Sequence, residues 1–212
     1  MVVNITISLL LIIAAYLLGS IPTGYAVGRY LKGIDIREHG SGSTGATNVL
    51  RTVGKLPAIA VLAIDLLKGS AAVASIDLVY SLTDILPANW HSWLIVAAAL
   101  SAIIGHSKSV WLNFTGGKSV ATTLGILLVM NPLVAGGTIV SFGIVLAISR
   151  IVSLSSICGA IAVNILMLVF NQPVPYLIFA AIAGLYVIVR HQSNIQRLLA
   201  GNEPKIGQAS QS

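Results

Sequence analysis

Arg150 is the only charged residue between Ser119 and Val189. As straight helices, the two uncharged stretches it separates, Ser119 to Ser149 and Ile151 to Val189, would run about 46 Å and about 58 Å at roughly 1.5 Å per residue. A bilayer core is only about 30 Å thick. Each stretch must therefore turn back on itself. Asn131-Pro132 supplies the turn in the first, because proline disfavours helix in the residue before it and has no N–H to donate. Asn171-Gln172-Pro173-Val174-Pro175 supplies it in the second. Spans are predicted at 119–130 and 133–149, with two more between 151 and 189.

The rest of the chain obeys the same rule. Only 8% of residues are charged and 56% are hydrophobic, whereas a soluble domain carries about a quarter charged residues. Residues 1–28 carry no charge, and the first basic residue, Arg29, follows the apolar run. A cleavable signal peptide has the opposite order, so this run reads as a retained first span. Leu56 to Ile76 is a second span, with Asp65 and Lys68 inside it, and a third begins at Trp93, ending at Gly105 or running on to Trp111. The predicted fold class is an all-α integral membrane protein of seven transmembrane helices. It forms a single domain over 1–205, followed by a mobile polar tail at 206–212.

An odd number of spans puts the two ends of the chain on opposite sides. With the C-terminus in the cytoplasm and the N-terminus outside, the inner side receives Arg29, Lys32, Arg37, Arg51, Lys55, Lys108, Lys118, Arg150, Arg190, Arg197 and Lys205. The outer connections hold Asp77, Asp84 and His91 and no Lys or Arg. That asymmetry follows the positive-inside rule. Cys158 is the only cysteine, which excludes an intrachain disulfide and a cysteine-built metal site. The histidines at 39, 91, 106 and 191 form no H-E-x-x-H pattern, so no metal is expected.

Polar chemistry collects in three segments on the predicted inner face. The first, Gly40-Ser41-Gly42-Ser43-Thr44-Gly45-Ala46-Thr47-Asn48 with Arg51 after it, has glycines that can turn successive N–H groups inward, hydroxyl donors, and a helix expected to start near Ala46. No carboxylate occurs from His39 through Ile64. An anion site and a plain turn-rich loop fit these residues equally well. The second segment, Gly105 to Ser119, ends in Gly116-Gly117-Lys118-Ser119. A nucleotide P-loop would need glycine where Leu112 stands, so that reading fails. A glycine pair opening a span beside a lysine suits a phosphate, and a snorkelling interfacial anchor suits it equally. In the third, if the last span continues as helix, His191 and Asn194 fall three apart and share a face, as do Asn194 and Arg197, and a simple topology anchor would show the same. Asp65 and Lys68 also share a face, as a functional or a structural pair. Ser153, Ser155 and Ser156 can meet a substrate or return hydrogen bonds to their own helix. Gly19-Ser20-Ile21-Pro22 should bend the first span and free carbonyls that must be met by protein or a polar cavity.

In order and spacing these motifs, with Asp65-x-x-Lys68-Gly69, Ser153-Leu154-x-Ser156 and His191-x-x-Asn194-Ile195-x-Arg197 through Glu203 and Lys205, resemble the bacterial acyl-phosphate:glycerol-3-phosphate acyltransferase family, the PlsY type. The resemblance runs from Gly19 to Lys205. It implies a cofactor-free, metal-free inner-membrane enzyme that moves a fatty acyl group from acyl phosphate to the 1-hydroxyl of glycerol 3-phosphate, giving lysophosphatidic acid and phosphate. Its partners would be those two substrates and membrane lipid, with no nucleic acid, and the chain is expected to be a monomer with its active site on the cytoplasmic side. Gly40, Ser41, Gly42, Gly45, Thr47, Asn48, Gly116 and Gly117 are expected to hold the acyl phosphate. Arg51, Lys118, Ser153, Ser156, His191 and Asn194 are expected to hold glycerol 3-phosphate, with Ser41, Lys118 and His191 catalytic. The chain departs from the family pattern at Ser43-Thr44 (usually Asn-Pro), Ser109 (proline), Thr115 (lysine) and Ser119 (glycine).

No His-x4-Asp pair is present: Thr44, Val96, Trp111 and Gln196 stand where the aspartate would be. That argues against a thioester-donor acyltransferase of that kind. From other classes, the alternatives are a membrane carrier for phosphate or a small phosphate ester, and a non-catalytic lipid-binding scaffold.

Overall fold

The computed structural model describes residues 1–207; of the tail expected at 206–212, residues 208–212 lie outside the described residues. Among the described residues the regular structure is helical: α1 (Val2–Ser20), α2 (Thr23–Lys32), α3 (Ala46–Thr52), α4 (Lys55–Leu82), α5 (His91–Ser107), α6 (Val120–Met130), α7 (Pro132–Ser149), α8 (Val152–Val169), α9 (Val174–Arg190) and α10 (Gln192–Leu199). Among the described residues, five spans are long and apolar enough to cross a membrane; the first of them joins α1 and α2. The number is six if α9 and α10, which meet at 59°, count as one. The chain divides into two compact units, Met1–Met130 and the residues from Asn131 onward.

In the first unit, α1 stops at Ser20 because Pro22 follows, and α2 starts directly after it. Third-span helix α5 ends at Ser107, short of Trp111, which lies in a separate 3-10 turn at Val110–Leu112. The second span is longer than expected and reaches Leu82. α6 has only 11 residues, about 16 Å of rise, bounded by a left-handed Ser119 before it and the Asn131-Pro132 break after it.

Helix contacts in this unit rest on small residues, as is usual where lipid supplies no hydrophobic drive between helices. A Cβ on Gly19 of α1 would lie 2.2 Å from Ala102 O of α5, and one on Gly105 would lie 2.2 Å from Tyr16 O. The same relation joins α4 to α6, where a Cβ on Gly125 would sit 2.0 Å from Leu66 O, and Ser70 Oγ donates to Gly125 O at 2.8 Å. A small core of Ile36, Val49, Ala58 and Val61, flanked by Tyr25 and Val27, packs α2, α3 and α4 together beneath the glycine-rich loop.

In the second unit, Pro132 occupies the first turn of α7, and Asn131 Oδ1 accepts from the N–H groups of Leu133 and Val134. This is an N-cap, with the proline where no intrahelical donor is needed. Arg150 takes a left-handed φ of 58° between α7 and α8. α8 and α9 bury Val163, Met167, Phe179 and Ala183. Ile206 N–H donates to Arg150 O at 2.8 Å, so the first residue of the expected tail is tied to the start of α8.

The close α4/α6 contact makes a prediction. Gly125→Val should lower the thermal stability of the detergent-solubilised protein by about 1–3 kcal/mol through overpacking. Gly136→Val, at a position with nothing within 4 Å of an added Cβ, should leave the melting curve nearly unchanged.

Candidate functional site

The first two polar segments meet within the first unit. Arg37 pairs with Asp35 at 2.6 Å, and its guanidinium also donates to Thr115 Oγ1 at 3.1 Å and to Leu112 O at 3.4 Å. The hydrogen bond from Arg37, helped by its charge, overcomes partial burial and holds the Asp35 carboxyl well down, at about 2. Arg37 therefore keeps a permanent counter-ion and serves as a clip between the segments.

The glycine-rich loop is organised by Asn48, which is 1% exposed. Its amide nitrogen lies within 3.0 Å of three carbonyl oxygens, those of Ile36, His39 and Ser43, and its Oδ1 accepts from Ser41 N–H at 2.9 Å. Gly40 and Gly42 take left-handed φ angles of 59° and 68°. At Gly40 a side chain would also collide with Asn48 Oδ1. As expected, a helix begins at Ala46. The expected nest is narrower than the sequence suggests, because several of its donors are spent inside the loop. Ser41 N–H goes to Asn48, Gly42 N–H to His39 O at 3.1 Å, and Gly45 N–H to Ser43 Oγ at 3.3 Å. The Asn48 side chain is likewise turned inward, and it shapes the loop from within. Ser41 and Arg51 are exposed, and Thr47 is half-buried.

Lys118 is held by its neighbours. Gly117 N–H donates to His106 O at 3.1 Å, and Ser119 Oγ donates to Ile103 O at 2.8 Å. Both acceptors belong to the last turns of α5, so the backbone on either side of Lys118 is fixed to that helix. The glycine pair is required by space as well, since a Cβ on Gly116 would lie 2.3 Å from His106 O and one on Gly117 would lie 2.1 Å from His106 Nε2. Gly117 N–H is therefore committed to α5.

The departures from the family pattern are accommodated by hydrogen bonds. Ser119 has φ 64°, a conformation that costs an L-residue about 1–2 kcal/mol and glycine nothing comparable; its hydroxyl bond to Ile103 O offsets the strain. Ser109 Oγ donates to Ser20 O at 2.6 Å, Thr115 receives Arg37, and Ser43 receives Gly45 N–H.

Asp65 and Lys68 form a buried ion pair at 2.8 Å, with side chains 2% and 3% exposed. Lys68 Nζ also donates to Ile21 O at 2.9 Å, and His106 Nδ1 lies 3.6 Å from the same Asp65 oxygen. The carbonyls freed by the Pro22 break are thus met by protein: Ser20 O by Ser109 and Ile21 O by Lys68.

In the second unit Asn194 and Arg197 of the predicted donor row share a face, and they face a carboxylate. Asn194 Nδ2 donates to Glu203 Oε1 at 2.6 Å, Ser153 Oγ to the same oxygen at 2.8 Å, and Arg197 Nε to Oε2 at 2.7 Å. Burial by itself would raise the Glu203 carboxyl, but these three bonds outweigh it and hold the group below its ordinary value. Glu203 is the residue that sequence reasoning left outside the site. Its signal was that of a lone acid in a basic segment that otherwise offers only donors. Ser156 Oγ and Ser155 Oγ return to their own helix at Val152 O and Ile151 O, both at 2.9 Å. His191 sits at the α9/α10 bend with Nδ1 2.7 Å from Val187 O. A carbonyl can only accept, so Nδ1 carries a proton there and the other ring nitrogen is set by what surrounds it.

The family model for glycerol-3-phosphate acyltransferase matches residues 9–201. The glycerol-3-phosphate acyltransferase of Rippkaea orientalis is 66% identical over 204 residues, covering 95% of this chain and 94% of that protein. The one from Crocosphaera subtropica is 59% identical, covering 97% and 96%. Among solved structures, the glycerol 3-phosphate form of PlsY (YgiH), an integral membrane glycerol 3-phosphate acyltransferase, superposes with a TM-score of 0.86 at 38% identity, covering 94% of this chain and 96% of that one. Its lysophosphatidic acid form gives 0.83.

Two predictions follow from the site geometry. Ser119→Ala keeps the left-handed strain and loses the hydroxyl bond, so it should destabilise the protein by about 1–2 kcal/mol in denaturation, while Ser119→Gly should be close to neutral. Because the folded-state value of Glu203 is depressed, its stabilising contribution is present above the unfolded glutamate range near pH 4.3 and is lost as pH falls through the lower folded value. Acid titration of stability should show that loss, and Glu203→Gln should flatten it.

Proposed function

The chain belongs to the glycerol-3-phosphate acyltransferase family, and from that premise we propose that it transfers a fatty acyl group from acyl phosphate to the 1-hydroxyl of glycerol 3-phosphate. The products are lysophosphatidic acid and inorganic phosphate. The observation that carries this reading is the Lys118 segment, where a cation follows two glycines on backbone fixed to α5 at Gly117 and Ser119. A cation carried on fixed backbone is suited to charge that develops on a phosphoryl group during reaction, because the segment that bears it needs no rearrangement when that charge appears. Membrane insertion supports a donor with an apolar tail, and the arrangement proposed is seven spans with α6 as a short one. The N-terminus would lie outside and the polar segments at the cytoplasmic side of the bacterial inner membrane.

In this reading the glycine-rich loop, shaped by Asn48, holds the acyl-phosphate head through the Ser41 and Thr47 hydroxyls, with Gly40, Gly42 and Gly45 setting the turns that present them and Gly116 and Gly117 giving close access. Lys118 neutralises the departing phosphate, and Arg51 and Lys118 attract the phosphate of glycerol 3-phosphate. In the second unit taken by itself, His191, Asn194, Ser153 and Ser156 are the proposed binders of glycerol 3-phosphate. Asn194 and Ser153 do so from a frame set by Glu203, which uses one hydrogen-bonding capacity of each. The glycerol oxygen forms its bond to the acyl carbon as the carbon–oxygen bond to phosphate breaks, and the hydroxyl proton passes to a phosphate oxygen. His191 acts by binding phosphate. Phosphate is a good leaving group, so neither a covalent acyl-enzyme nor a cofactor is needed.

The test is turnover by purified protein in detergent. Given acyl phosphate and glycerol 3-phosphate, it should release phosphate and form lysophosphatidic acid in equal amounts. Lys118→Ala and Ser41→Ala should each cut the rate by about 10²-fold or more while the protein stays folded. Near-normal rates in both variants, or uptake of glycerol 3-phosphate into sealed vesicles without product, would refute the assignment.

A further inference from the structure

Three breaks in helical backbone lie close together in the first unit: the Ser20-Ile21-Pro22 interruption, the end of α5 at Ser107, and the Gly116-Gly117-Lys118 segment. One buried cluster reaches all of them. Lys68 Nζ binds Ile21 O at 2.9 Å and Asp65 Oδ1 at 2.8 Å. The same Asp65 oxygen lies 3.6 Å from His106 Nδ1. His106 in turn accepts Gly117 N–H on its carbonyl at 3.1 Å, and its Nε2 lies against Gly117 so closely that a Cβ there would be 2.1 Å away. The Asp65, Lys68 and His106 side chains are between 2% and 5% exposed.

We propose that Asp65, Lys68 and His106 are positioning residues for the reaction: together they fix the last turn of α5, and through Gly117 they fix where Lys118 stands. This rests on the acyltransferase reading for what Lys118 does, and on geometry alone for what holds it. Stability by itself does not account for the cluster. An ion pair buried in a bilayer-spanning segment costs both partners their hydration, and apolar side chains of similar volume often stabilise such a place as well or better. What apolar residues cannot do is give a carbonyl at a helix break a donor and orient an imidazole against a glycine. Intramembrane ionisable residues are retained chiefly where they do such work. Lys68 answers Ile21 O, and the His106 ring stands between Asp65 and Gly117, with Nδ1 3.6 Å from the carboxylate and Nε2 on the Gly117 side.

The experiment pairs hydrogen exchange with kinetics in detergent. Asp65→Asn/Lys68→Met removes both charges together, so no unpaired charge is left buried, and its melting temperature should stay near that of the parent. Exchange at the amides of residues 115–119 should speed up by about tenfold or more, with α1, α4 and α6 unaffected. kcat should fall by about tenfold or more, since small displacements of a catalytic group carry penalties of that size, while KM for acyl phosphate stays within about threefold. His106→Gln, which leaves the ion pair in place and keeps the backbone carbonyl, should loosen the same amides and lower kcat in the same way. It decides the matter if the double variant fails to fold. Unchanged exchange at 115–119 in His106→Gln, or exchange that rises evenly across the unit in either folded variant, would overturn the proposal. Absence of turnover in the parent protein would instead overturn the acyltransferase reading, and the exchange result would still judge the positioning role.

Discussion

In a hydrocarbon core no water is available to a free carbonyl or amide, so each interruption of a helix must be satisfied by the protein itself. This chain interrupts its helices repeatedly, at Pro22, before Val120, at Pro132, at Arg150 and at His191. The first unit meets that demand with side chains brought from distant parts of the sequence: Ser109 to Ser20 O, Lys68 to Ile21 O, and Ser119 to Ile103 O. Backbone repair thus occupies the same places as the proposed chemistry. The loop bearing Lys118 is held still by the bonds that repair the end of α5.

Much of the architecture was legible because charge is so sparse. The breaks at Pro22, Asn131-Pro132 and residues 171–175, the helix start near Ala46 and the shared face of Asn194 and Arg197 are local consequences of proline geometry, glycine and helical periodicity. Span ends were less legible, as α5 stopping at Ser107 and α4 running on to Leu82 show. Nothing local in an apolar run marks its end. The least legible matter was which polar groups face inward. Asn48 and Ser41 N–H look like ligand donors in the sequence, yet they satisfy each other across a loop. Glu203, in the segment after α10, gathers Ser153 from α8 and Asn194 and Arg197 from α10. Hydrogen bonds made at long range leave no periodic trace.

The chain's departures from the family pattern follow the same physics. Where relatives of this kind commonly carry glycine at 119, this protein keeps the left-handed backbone and adds a hydroxyl bond to the preceding helix. Thr115, in place of a lysine, receives Arg37, whose charge is already balanced by Asp35. The backbone beside Lys118 is fixed on both sides, at Gly117 and Ser119, and that is where the proposed neutralisation of the departing phosphate is placed.

The most direct measurement of that central claim is a structure of the protein with glycerol 3-phosphate bound. The expected result is a phosphate oxygen within hydrogen-bonding reach of Lys118 Nζ, about 3.2 Å or less, with Gly117 N–H still on His106 O and Ser119 Oγ still on Ile103 O. A phosphate bound away from Lys118, or a segment that must leave α5 to reach it, would contradict the claim.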